Sequence, residues 1–230
     1  MKGGQSRKRF MVQSKMFLKF NKIQHYFFDK YDYGKMPEYK EVMDKCISAG
    51  QVHSNKVIFI YGRKRKYQNC DGLVTDRNVY LGIETADCLP VLLYDPMVKI
   101  IGAVHAGWKG LLSGILVNAV NCMQKQGART ANIFVAVGPH ISACCYKTSA
   151  KMVKQFQEKF GNIAGAEKNR HSEWYLDLAQ IALWQLTHLG LPGKNIEILK
   201  ECTFCNRQYF SYRRDGTACG RIWSVIGVKS

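Results

Sequence analysis

Apolar residues fall along this chain mainly in short runs, VIFIY, NVYLGIE, LPVLLYD, KIIGAVH, NIFVAVG, NIEILK and RQYFSY. Runs of this length, rich in β-branched and aromatic residues and bounded by turn formers, predict strands. Three longer stretches carry a helical period instead, from about Leu111 to Gln126, Ser149 to Phe160 and Leu176 to Leu189. Each is followed by a glycine, Gly127, Gly161 or Gly190, where a helix C-terminus asks for left-handed backbone. Helices are too few to follow every strand, so the pattern predicts an α+β fold with mixed sheets. The polar segment from Gly161 to Ser172 reads as a surface loop between patterned elements.

Composition adds a size and a compartment. A chain of 230 residues with 47 % hydrophobic content can bury one substantial core. The expected division is a basic arm over residues 1–22, with the composition of a disordered tail, and one catalytic domain over 23–230. No stretch has the uninterrupted apolar length of a membrane span, and the basic start lacks an apolar core before a cleavage site. Nine scattered cysteines fit a reducing compartment, so the expectation is a cytoplasmic protein with free thiols. Cys202 and Cys205 form a C-x-x-C that reads as a redox pair sooner than a metal site. A zinc ribbon needs a second such pair, which the neighbouring Cys144 and Cys145 do not supply.

The net charge of +17 raises the question of nucleic acid, but the excess is concentrated before Tyr31 and in Arg63-Lys64-Arg65-Lys66, which reads as a hairpin loop. No RNA-binding signature accompanies it, so nucleic acid is expected only as a weak, nonspecific partner. Small anions such as inorganic phosphate are the better match.

Three side chains far apart in sequence, His53, Cys88 and His105, each end an apolar run. Two imidazoles and a thiolate suit zinc and leave a fourth tetrahedral position for water, as in catalytic zinc sites. In GAVHAGWKG a Gly-bounded turn carries Lys109 to a helix entrance near His105, where an anion is favoured. Asp87, beside Cys88, is a candidate proton acceptor, whereas Glu84 reads as a structural carboxylate. Arg213 and Arg214 are candidates for gripping phosphate or substrate; on a strand they point to opposite faces, so at most one faces a shared pocket. His140, in GPHISACCY, reads as a loop histidine.

The segments QVHS, DGLVT, TADCLPVLLYDP, GAVHAGWKG, VAVGPHISACCY and FSYRRDG, with a later Gly-Arg, strongly resemble the laccase-domain or multicopper polyphenol oxidase family. Its members are also described as purine nucleoside phosphorylases with adenosine deaminase activity. The resemblance spans about Gln51 to Arg221 and implies zinc ligands at His53, Cys88 and His105. It also implies a fold, an α/β sandwich of mixed β-sheets flanked by helices. Two departures stand out: the segment from Tyr31 to Ala49 is short where relatives carry a substrate-side loop, and TACGR has a variant spacing around Arg221. The favoured expectation is a zinc-dependent enzyme that phosphorolyses adenosine-, inosine- and guanosine-type nucleosides and deaminates adenosine. Its catalytic residues would be Cys88, His105 and Asp87. The alternatives are a Cu²⁺-dependent phenol oxidase, for which six histidines and no H-x-H pair are a poor supply, and a metal-free hydrolase with Cys88 as nucleophile and His105 as base.

Overall fold

The computed structural model describes residues 12–32, 37–62 and 64–228. The two most apolar runs become the antiparallel strands Leu89–Asp95 and Ile100–Ala106, buried at every position. They are the middle of a six-stranded mixed sheet ordered Ile196–Ile198, Phe134–Val137, Leu89–Asp95, Ile100–Ala106, Gly72–Thr75, Val57–Phe59. Alternate side chains leave a strand on opposite faces. Val91, Leu93 and Val104 therefore meet the helices Ile115–Gln124 and Leu178–His188 through Leu116, Val120 and Ile181. Leu92, Ile101 and Ala103 meet a second sheet.

That second sheet has five strands, ordered Ile23–Phe27, Ile222–Val228, Tyr80–Thr85, Cys46–Gly50, Lys66–Gln68. It supplies Ile47, Leu81, Ile83 and Ile226 to the core between the sheets. Leu92 is completely buried there, a burial that stabilises the fold by on the order of 2 kcal/mol. The outer face of the five-stranded sheet is covered by the helix Pro37–Lys45, with Val42 packed in the cluster of Tyr80 and Val225. The architecture is the expected α+β sandwich of mixed sheets flanked by helices.

Several elements differ from the sequence reading. The helix expected from Leu111 is two helices, Trp108–Ser113 and Ile115–Gln124, because Gly114 sits at φ 88° and breaks the run. Leu176 ends a strand, and Asp177 caps the next helix by accepting the Gln180 N–H. Part of the expected loop after Gly161 is a strand: Glu167–Arg170 pairs with Glu173–Leu176 in a three-stranded ribbon with Lys147–Thr148. RQYFSY is no strand. It runs through turns into the short helix Tyr212–Asp215, and Arg214 takes up the carbonyls of Thr203, Phe204 and Tyr209. Backbone acceptors satisfied by a side chain need no neighbouring strand.

The basic cluster near Arg63 does not sit in a hairpin, since Val57–Phe59 and Lys66–Gln68 lie in different sheets; Arg63 itself is outside the described residues. Of the basic arm expected over 1–22, residues 1–11 are likewise outside. The remainder packs on the body, with Phe17 fully buried and the Ser14 hydroxyl and Met16 N–H donating to Glu197 at 2.6 and 2.9 Å. Among the described residues no helix is long and apolar enough to cross a membrane.

Candidate metal centre and its cavity

His53, Cys88 and His105 come together with their ligand atoms all within 4.8 Å of one another. Each arrives from a different piece of chain. His53 lies on the crossing between the strands Cys46–Gly50 and Val57–Phe59, Cys88 on the crossing between Tyr80–Thr85 and Leu89–Asp95, and His105 near the end of its own strand, opposite Pro90. The two imidazole rings stand edge to face, centroids 4.7 Å apart.

Asp71, which the sequence reading passed over inside DGLVT, holds the group in place. Its fully buried carboxylate accepts the N–H groups of Val52, His53 and Ser54 at 3.2, 2.9 and 2.7 Å, and the Ser54 hydroxyl at 2.8 Å. It also bonds His105 Nδ1 at 2.8 Å. Those bonds stabilise His53 at φ 60°, left-handed backbone that a non-glycine residue adopts at a cost of about 1 kcal/mol. They also orient His105, because a ring whose Nδ1 faces a carboxylate presents Nε2 to the centre.

Burial works to raise the Asp71 carboxyl, but the bonds from His105 and Ser54 outweigh it and hold it well below the usual carboxylate range. Burial likewise works to lower His105, yet the bonds to Asp71 and Cys88 bring it up to about 9. Burial raises the Cys88 thiol while hydrogen bonds and charge from His105 and His53 bring it down to about 7. The thiolate is therefore accessible near neutrality, as a metal ligand requires. Space for an ion is preserved by Gly107: a Cβ there would lie 3.1 Å from the His53 ring and 3.2 Å from Cys88 Sγ. One thiolate, two imidazoles and a cradle of this kind fit a zinc-sized ion.

The trio lines a cavity of about 800 Å³, within the range of small-molecule sites. Lys109 and Arg213 line the same cavity, Lys109 from the first turn of Trp108–Ser113. Arg213 lies over the Tyr146 ring at 5.1 Å, donates through its guanidinium to the Lys147 carbonyl, and uses its backbone N–H on Asp87. Tyr146 is a second residue the sequence reading missed; burial pushes its phenol up to about 12. Its only signal was an aromatic after two cysteines.

The other candidates are placed otherwise. Arg214 is outside the lining of this cavity; it bonds three carbonyls and Asp215 and braces a loop. Asp87, 7 % exposed and at φ 85°, accepts the Thr203 hydroxyl and the Arg213 N–H, both at 2.6 Å. A carboxylate with those two bonds knits two loops together at the cavity wall. Glu84 lines the cavity, and the Gln51 side chain bonds its backbone N–H and carbonyl. Arg221 lines the cavity while bonding the carbonyls of Cys219 and Gly220. His140 is buried and bonded to the Gly138 carbonyl, the loop histidine expected. The reading of Cys202 and Cys205 as standing alone is corrected: Cys144 and Cys145 lie against them.

A family model described as multi-copper polyphenol oxidoreductase laccase matches residues 36–229. A purine nucleoside phosphorylase of Clostridium acetobutylicum is 36 % identical over 180 residues, 76 % of this chain and 74 % of that protein. Another, YlmD of Bacillus subtilis, is 30 % identical over 200 residues, 81 % of this chain and 72 % of that protein. Among solved structures, the hypothetical protein YfiH of Bacillus licheniformis superposes with a TM-score of 0.76 at 32 % identity, covering 81 % of this chain and 75 % of that one. A Neisseria meningitidis protein reaches 0.79 at 25 % identity, covering 91 % and 96 %. With the match running from before the first candidate ligand to beyond the last cavity residue, the chain belongs to the multi-copper polyphenol oxidoreductase laccase family.

Proposed function

We propose that this chain is a zinc-dependent purine nucleoside enzyme of the cytoplasm, which phosphorolyses adenosine-, inosine- and guanosine-type nucleosides and deaminates adenosine. The carrying observation is that the His53, Cys88 and His105 trio and the cationic side chains of Lys109 and Arg213 line one cavity of about 800 Å³, with room for a nucleoside and phosphate together. Relatives named purine nucleoside phosphorylases support the substrate class.

Zinc held by the trio would supply Lewis acidity, making water a competent nucleophile near neutral pH. The chain's own residues do the rest. With the metal bound, Asp71 would keep the His105 proton on Nδ1 and leave the Nε2 lone pair for the ion. In phosphorolysis, a phosphate oxygen bonds to C1′ as the C1′–N9 bond breaks; the purine leaves with the electron pair and takes up a proton. Lys109 and Arg213 neutralise the phosphate and hold it in line, so the attack is effectively intramolecular. Tyr146 and Trp108 give the cavity aromatic surface for a purine ring. In deamination, water adds at C6 and ammonia leaves, and Lys109 and Arg213 have no phosphate to hold.

The family's description favours a second reading, a copper-dependent phenol oxidase. Two imidazoles and a thiolate also suit Cu²⁺, which outcompetes zinc at many such sites. Among the described residues, however, the trio is the one metal-capable group that contains histidine, whereas several coppers need several sets of imidazoles. The deciding experiment prepares the protein without added copper, measures its metals, and follows adenosine with and without phosphate. Zinc, with ribose 1-phosphate formed only when phosphate is present and inosine formed in either case, supports the proposal. Copper with phenol oxidation and no nucleoside turnover would sink it. Nucleoside turnover that survives complete removal of metal would point to Cys88 as a nucleophile.

A further inference from the structure

The cysteines left over from the cavity are not scattered. Cys144 and Cys145 follow the strand Phe134–Val137, and Cys202 and Cys205 follow Ile196–Ile198; those two strands are parallel neighbours at the edge of the six-stranded sheet. The segments beyond them stay zipped together. His140 pairs with Cys202 in a single parallel bridge, with His140 N–H donating to the Glu201 carbonyl and Thr203 N–H to the His140 carbonyl. Four sulfurs are thereby gathered, all within 4.8 Å of one another. Cys144 Sγ lies 3.5, 3.7 and 3.7 Å from the sulfurs of Cys145, Cys202 and Cys205, and Cys145 lies 3.3 Å from Cys205.

These separations have a geometric meaning. Four sulfurs placed tetrahedrally at about 2.3 Å from zinc are separated by about 3.8 Å along each edge. The four contacts, 3.3–3.7 Å, lie close to that edge and are far longer than a disulfide of about 2.05 Å. The surroundings match as well: the Ser142 N–H donates to Cys202 Sγ at 3.5 Å, the way a backbone donor stabilises a coordinated thiolate. Zinc with four thiolates carries two net negative charges, which a chain of net charge +17 readily accommodates.

We infer that Cys144, Cys145, Cys202 and Cys205 bind a second zinc ion, a closed four-thiolate structural site separate from the cavity trio. Its work is to clamp two cavity walls. One clamped segment carries Ile141 and Tyr146 into the cavity. The other carries Thr203, whose hydroxyl bonds Asp87, the residue that also holds the Arg213 N–H and whose carbonyl accepts from Ile141 N–H. The ion thus supports Tyr146 and Arg213 without touching substrate, and four donors leave it no open position for water.

The test is metal content by mass spectrometry on full-length chain purified under reductant without added metal, compared with Cys88→Ala and with a Cys144→Ser, Cys205→Ser double variant. The wild type should hold about two zinc ions per chain, and each variant about one. Reactivity of the four thiols towards an alkylating reagent should be blocked in Cys88→Ala until a chelator is added. Should the double variant fail to fold, Co²⁺ titration of the wild-type chain decides instead. A four-thiolate site gives a strong sulfur-to-cobalt charge-transfer band that a site with one thiolate cannot match, and this band must survive in Cys88→Ala. A Cys88→Ala protein without zinc and without that band, or a chain in which these cysteines are joined as disulfides, would overturn the inference. Neither result bears on the cavity trio, whose zinc is read separately in the double variant.

Discussion

Asp71→Asn changes one atom in the carboxylate that carries five hydrogen bonds, and the structure says where the damage goes. One oxygen serves Val52 N–H and both donors of Ser54, the other His53 N–H and His105 Nδ1. An asparagine keeps its carbonyl on the first set, because reversing it would set an NH₂ group against two backbone N–H groups and leave only the hydroxyl free to turn. Its NH₂ then faces His53 N–H, leaving that donor unsatisfied at about 1–3 kcal/mol. The same NH₂ makes His105 Nδ1 an acceptor, which moves the ring proton to Nε2, the atom that should bind metal. Losing the carboxylate behind a ligating imidazole weakens metal affinity by roughly 10–100-fold, or about 1.4–2.7 kcal/mol. Competition with a chromophoric chelator at neutral pH measures the affinity of the cavity site, and thermal unfolding of metal-free chain measures the separate loss of fold stability. An affinity within twofold of wild type, in a variant whose metal-free melting has fallen, would show that Asp71 only folds the 52–54 loop. The carboxylate–histidine argument would then be wrong.

Three further outcomes are expected. Lys109→Ala or Arg213→Ala should depress phosphorolysis more than adenosine deamination, since only the first holds phosphate; the Arg213 backbone bond to Asp87 survives the change, so equal losses would count against the assignment. Gly107→Ala should leave the fold intact, because φ −71° suits any residue, yet crowd His53 and Cys88 and weaken metal binding; unchanged metal affinity would show the cradle has room to spare. His25, whose imidazole accepts the Ser14 N–H, is pushed by burial from 6.5 to about 4. The unfolded chain therefore binds the proton first, so stability is whole above about pH 6.5 and falls by on the order of 3 kcal/mol as the pH drops towards 4. Denaturant titrations of His25→Gln, which keeps an acceptor, should show a flatter acid limb, and an identical limb would remove His25 as its cause.

What the sequence made legible was governed by local signals. The runs LPVLLYD and IIGAVHA could only be buried strands, and Gly161 and Gly190 marked helix ends because positive φ is written in the residue type. The grouping of His53, Cys88 and His105 was legible because each ends an apolar run with a side chain that can ligate a metal. The failures all turn on partners distant in sequence. RQYFSY has the alternation of a strand, but the fate of its backbone was decided by Arg214, which reaches back to Thr203 and Phe204. Asp71 looked like one more carboxylate before a glycine, since its donors lie on residues 52–54 and 105. Cys144 and Cys145 did not read as a second pair because the pairing of Phe134–Val137 with Ile196–Ile198, which joins them to Cys202 and Cys205, is invisible in either segment alone.

His53 and Cys88 both lie on chain that passes from the five-stranded sheet to the six-stranded one, and His105 belongs to the six-stranded sheet they pass into. The centre is therefore expected to form only once both sheets have docked, after the core between them has closed. Interactions absent from the transition state change the rate of unfolding and leave the rate of folding alone. Metal at this seam should accordingly act as a latch on the finished sandwich, lengthening the lifetime of the native state while doing nothing to hasten its formation.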